Sequence, residues 1–192
     1  MRQPLNLELL RQGIQDCITP NLGGYMCDCA IACLHRQNHS SEVVLHIKTD
    51  DEERLLTLIW TTEVNKQLLV ATNDNDVSAD YGAMAIALLL IRFFTPYRYF
   101  ERSQKGTGVD FWLSENADTL NFTARLEISG IHHERGRNTL RTRLNQKKKQ
   151  ALLSADSQLP VYICITEFHK PQSILFRYDS HQQENDSKDM AR

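Results

Sequence analysis

Several signals that assign a chain to a class at once are missing from these 192 residues. The N-terminal stretch MRQPLNLELLRQGIQD has no apolar core of signal-peptide length. The longest apolar run, YGAMAIALLLIRFF, falls short of a bilayer span and contains Arg92. A buried helix, no membrane partner and a cytoplasmic protein are the expectations. Five cysteines are present, yet no C-x2-C pair of the common zinc sites occurs. Cys27, Cys29 and Cys33 cluster while Cys17 and Cys164 stand apart. On a helix Cys29 and Cys33 share a face and Cys27 does not, so small buried thiols are expected rather than a metal or redox centre. The segment SQKGTG is no Walker loop, because its lysine precedes the glycines and a strand follows them. A tight turn is the reading there. No G-x-S-x-G elbow supports a serine hydrolase, and no internal repeat is visible.

What remains is an ordinary globular composition, 41% apolar and 24% charged, with a formal net charge of −2. The charge is unevenly spread. Residues 98–150 hold 11 Lys/Arg against 6 Asp/Glu, and residues 42–80 hold 3 against 9. One basic and one acidic surface are expected, which allows an anionic partner on the basic side only.

Pattern and punctuation predict the elements. Residues 5–16 read as a short helix with Leu5 and Leu9 inward, and residues 22–34 as a second helix after Pro20. SEVVLHIK and RLLTLIW read as strands around the acidic turn TDDEE, and TTEVNKQLLVAT fits helix or strand equally. The strongest helix covers Ser78 to Phe94 and ends before Pro96. YRYFERS, VDFWLS and FTARLEIS follow as strands, then the basic helix RNTLRTRLNQKKKQALLS with Leu140, Leu144, Ala151 and Leu152 toward a core, then the strands PVYICITEF and SILFRY. The fold class is therefore α/β (α+β), a central mixed β-sheet flanked by helices. Residues 1–72 form a helix-and-hairpin extension, 73–178 the core unit and 179–192 a polar tail expected to be disordered.

Two carboxylates stand out. In the FTARLEIS strand, alternation puts Arg125, Glu127 and Ser129 on one polar face and Ala124, Leu126 and Ile128 on the packed face. Asp110 in the neighbouring strand comes within reach of Glu127 if the two strands pair. Such a pair holds Mg²⁺ or Mn²⁺, which prefer oxygen ligands and keep several waters. The ion then polarises a phosphodiester.

The order helix, three strands, helix, strand, with Asp110 in the second strand and Glu127 in the third, resembles the PD-(D/E)XK superfamily, the restriction-endonuclease-like fold. The resemblance implies Asp110 and Glu127 as metal ligands, Asp80 as a third acid, and a metal-dependent nuclease acting on DNA or RNA. It departs at Ser129, which stands where the family's motif lysine belongs. Some members bring that lysine from the following helix, where this chain offers Lys147, Lys148 and Lys149; Lys105 is a further candidate. The string RSQKGTGVDFWL, with ARLEISGI after it, also resembles an uncharacterised group of bacterial proteins. The superfamily further suggests a bacterial defence or mobile-element setting. The alternative is a catalytically inactive nuclease-fold module that binds nucleic acid or a protein partner, or a homo-oligomer.

Other residues carry two readings each. Arg135, Arg137, Arg141, Arg143, Lys148 and Lys149 form either a solvated face beside a leucine stripe or a surface for backbone phosphates. His132 and His133 are adjacent, so at most one points inward, as ligand or base. Trp112 and Phe111 fit a core better than a base-stacking platform, and Glu167 faces either the site or solvent.

Overall fold

The most apolar segment fixes the centre of the molecule. In the computed structural model, which describes residues 2–104, 108–116, 121–153 and 159–179, α3 spans Asn75–Phe94. Asp74 caps it by accepting from the Asp76 and Val77 amides, so the helix begins three residues before Ser78. An 18-residue window of this 20-residue helix, of mean hydropathy 1.6, is long and apolar enough to cross a membrane, but 67% of that window is buried inside the protein. The burial is mutual with α1 (Pro20–Arg36), which starts at the N-cap Thr19 with a proline in its first turn. At their crossing Gly82 sits so close that a Cβ would lie 2.9 Å from the Ala30 Cα.

Both helices cover one face of an eight-stranded mixed sheet. Its strands are β1 (Gln3–Asn6), β2 (Val43–Lys48), β3 (Glu53–Ile59), β4 (Tyr99–Arg102), β5 (Phe111–Ser114), β6 (Ala124–Ile131), β7 (Val161–Glu167) and β8 (Gln172–Tyr178). They lie in the order β1-β3-β2-β8-β7-β6-β5-β4. The β6/β7, β2/β8 and β1/β3 pairs are parallel and the others antiparallel. The crossover from β6 to β7 is α4 (Leu140–Leu153), which lies on the opposite face. Ala124, Leu126 and Ile128 join the core beneath α1 and α3, while Ile131, Val161, Ile163 and Ile165 pack with Leu140, Leu144 and Ala151 of α4. A short α2 (Lys66–Ala71), capped by Asn65, resolves the ambiguous TTEVNKQLLVAT segment as a helix.

Several expectations change. Residues 5–16 are not one helix: β1 gives way to a 3₁₀ turn, Leu7–Gln12, whose inward residues are Leu7 and Leu10, leaving Leu9 exposed. Tighter winding moved the buried positions from the α-helical spacing. The hairpin β2–β3 joins the same sheet, because His46–Lys48 pair with Gln172–Ile174 of β8. The face holding Arg125, Glu127 and Ser129 is not an open polar face. All eight β6 residues are buried, since the strand has helices on both sides. Leu140, Leu144 and Ala151 of α4 do face a core; the Leu152 side chain, Lys105 and the tail from residue 180 lie outside the described residues.

At Gly130 α3 comes close to the sheet, so that a Cβ there would meet the Ala79 carbonyl oxygen at 2.0 Å. Gly130→Ala must therefore push α3 off β6. A loss of about 1–3 kcal/mol is expected from overpacking, measured by urea unfolding; a variant as stable as wild type would mean the contact relaxes freely.

Candidate active site

The site grows from an edge left open within the sheet. β5 pairs with β6 only through Phe111↔Leu126, Trp112↔Arg125 and Leu113↔Ala124, and the Asp110 amide makes the last bond, to the Leu126 carbonyl at 3.0 Å. The chain then departs through Val109 and Gly108, whose φ of 74° lies in the region open to glycine. β6 runs on for five residues without a strand from the described residues on that side. Its outward amides at Ile128 and Gly130 need acceptors, since buried N–H groups are costly unpaired. Asp110 Oδ2 accepts from Ile128 N at 2.8 Å and Asp80 Oδ1 from Gly130 N at 3.2 Å. Two carboxylates thus stand where a neighbouring strand would be, and their positions are fixed by the backbone.

The opening is a cavity of about 230 Å³. Asp80 and Met84 of α3 line one side, Asp110, Ile128 and Ser129 the floor, and Arg143, Gln146, Lys147 and Gln150 of α4 the other side. The α4 set repeats at i, i+3, i+4 and i+7, one helical face. The helix start that aims this face is capped by Glu134 Oε1, which accepts from Leu140 N, and by Thr139 Oγ1, which accepts from Thr142 N.

Glu127 lies beneath, its side chain only 3% exposed. Lys147 Nζ donates to its Oε2 at 2.6 Å and stands 3.9 Å from Asp110 Oδ2. One ammonium therefore bridges both carboxylates. Burial pushes the Glu127 carboxyl up to about 7, against the opposing pull of Lys147.

The other expected residues separate clearly. Arg143 reaches the cavity, with Nε tied to Asn138 Oδ1 at 2.8 Å. Arg135, Arg137, Arg141 and Lys149 are exposed, whereas Lys148 turns away, 3.7 Å above the Phe176 ring of β8. His132 meets the Gln37 amide, and His133 stacks on His169 with ring centroids 3.9 Å apart. Neither enters the cavity, because β6 ends at Ile131 and the chain turns toward the α1 C-terminus. Glu167 is buried and caps the β7–β8 turn, accepting from His169 N and Lys170 N. Phe111 is core, while Trp112 is half-buried beside Phe122. Cys27, Cys29, Cys33 and Cys164 are buried free thiols. Met84, Gln146 and Gln150 were not singled out from sequence; the spacing from Arg143 to Gln150 is the signal that finds the two glutamines.

Among the described residues no group of three or more His, Cys, Asp or Glu side chains is set to hold a metal ion. Asp80, expected as a third ligand, is instead tied to the Gly130 amide at the cavity mouth. Asp110 and Glu127 form an oxygen-only pair around one cation, the Lys147 ammonium. That donor set fits Mg²⁺ or Mn²⁺, which take one or two carboxylates and fill the remaining positions with water and substrate oxygens. No protein-family model, curated protein or solved structure matches the chain.

A carboxyl raised in the folded state favours the protonated form there. Its ionisation therefore penalises the fold increasingly as pH climbs from the unfolded value of 4.5 through about 7. In chelator-containing buffer, the melting-temperature gap between Glu127→Gln and wild type should shift in favour of the variant from about pH 5 to about pH 8. A gap independent of pH would mean that Glu127 stays ionised throughout.

Proposed function

We propose that the chain is a metal-dependent phosphodiesterase acting on nucleic acid, DNA or RNA, built on a restriction-endonuclease-like core. The observation that carries this reading is Lys147. An ammonium from the helix following β6 reaches the buried Glu127 and lies near Asp110, supplying the charge that Ser129 does not. A lysine sunk between two acids, in a cavity with Arg143 beside it, is a costly arrangement for stability alone, and perturbed titratable groups in a cavity favour a functional role.

Asp110 and Glu127 would hold the ion, which when bound supplies Lewis-acid polarisation of the phosphodiester and neutralises developing charge. Lys147 Nζ would hydrogen-bond the attacking water and shield the negative charge that grows on the phosphoryl oxygens. Arg143, braced by Asn138, lies where a phosphate oxygen entering the cavity would meet it. The backbone bonds to Asp110 and Asp80 keep the acids in place without relying on the ion.

A second reading, a nuclease-shaped module that binds without cutting, draws on the missing third grouped ligand among the described residues. Cleavage of single-stranded, duplex and branched DNA and of RNA, with Mg²⁺ or Mn²⁺, separates the two. Metal-dependent cutting is expected, falling at least ~100-fold in Glu127→Gln and Asp110→Asn and ~100- to 10,000-fold in Lys147→Ala. No cutting across the panel, with Mn²⁺ affinity equal in wild type and Asp110→Asn, would favour the binding module.

A further inference from the structure

We infer that the cavity accepts an unpaired nucleic-acid strand and that Arg102 with Tyr81 forms the wall that grips it, an inference resting on the phosphodiesterase reading above. The deepest acid is sunk rather than presented. Glu127 is almost wholly covered, and the space above it is about 230 Å³, below the ~300–1,000 Å³ usual for small-molecule pockets, with helices on both sides. A flexible strand bends one phosphate into such a recess. A duplex brings its second strand against the rim, and on the α3 side that rim carries the exposed acid Asp80. It repels a second phosphate backbone.

The same α3 side holds a feature suited to single strands. Arg102, on edge strand β4, is exposed and reaches over the cavity-lining Met84, with Nη1 3.5 Å from the thioether sulfur, a weak acceptor. Its guanidinium lies 6.0 Å from the centroid of the Tyr81 ring and 5.6 Å from that of Phe111, the residue after Asp110. None of the ion pairs among the described residues uses it. Tyr81 is only half-buried and is set by edge-to-face contact with Tyr25, centroids 5.0 Å apart at 70°. A positioned ring beside an unneutralised guanidinium is the combination that stacks an unpaired base and holds its phosphate without sequence preference. Across the cavity, Gln146 and Gln150 offer amides to base edges, which are fully accessible only when unpaired.

The test uses the full chain carrying Glu127→Gln, in chelator, with fluorescein-labelled oligo-dT, oligo-U and a hairpin duplex followed by anisotropy. Both single strands are expected to bind at least ~10-fold tighter than the hairpin. Tyr81→Ala should weaken single-strand binding by ~5- to 100-fold with an unchanged salt slope. Arg102→Ala should weaken it too, lowering the slope of log K against log salt by about 0.7; Arg102→Lys should restore the slope. Unchanged melting temperatures separate these effects from misfolding. Hairpin binding as tight as single-strand binding, or indifference to Arg102→Ala and Tyr81→Ala, overturns the inference. Metal-dependent cutting confined to duplex would also overturn it while leaving the phosphodiesterase reading standing. Selective single-strand binding with no cutting of any substrate would uphold it and remove the enzyme.

Discussion

The site depends on one unmet requirement of the backbone. β6 is longer than its partner β5, and the amides of Ile128 and Gly130 project from a buried strand toward a place that no strand among the described residues fills. Such groups must be paired in a folded protein. Here carboxylates from two different segments, α3 and the approach to β5, do the pairing. The cavity is the space the missing strand leaves, so acid placement and cavity formation are one structural event.

α4 completes the arrangement from the opposite face. Its Lys148 stacks on Phe176 of β8 while the preceding Lys147 points at Glu127. Leu140 and Ala151 anchor the two ends of the helix on β6 and β7. Consecutive lysines thus have opposite duties: one holds the helix against the sheet and the other delivers charge. The buried Arg125, on the same β6 face as Glu127, is held by the Leu159 carbonyl through Nε and Nη2, so this strand carries two charged side chains under one helix.

The parts of this architecture that periodicity governs were legible in the chain. The α3 helix, the β2–β3 hairpin, the strands of the core and the Asp110–Glu127 juxtaposition follow from alternation and helical spacing. The β6 face was misread because alternation between polar and apolar residues suggests one wet side, and nothing local says that a basic helix will fold over Arg125 and Glu127. The first element was misread because a 3₁₀ turn shifts the inward positions by a residue or two. Which of three consecutive lysines enters the site was beyond sequence, since helix phase relative to a sheet is a tertiary fact. Asp80 was found through a family pattern, but its bond to the Gly130 amide required the observed approach of α3 to the sheet.

The distribution of sulfur gives the molecule a built-in gauge of its own opening. Cys27, Cys29, Cys33 and Cys164 are buried in the same packing that seats α1 and α3 on the sheet, and burial holds their thiols in the protonated, unreactive form. Cys17 alone is partly open, its sulfur accepting from the Phe100 amide at 3.2 Å on edge strand β4. A thiol reagent would therefore mark the periphery first and reach the other four only through fluctuations that lift the helices. The order of labelling would read the hierarchy of local and global unfolding directly from the intact chain.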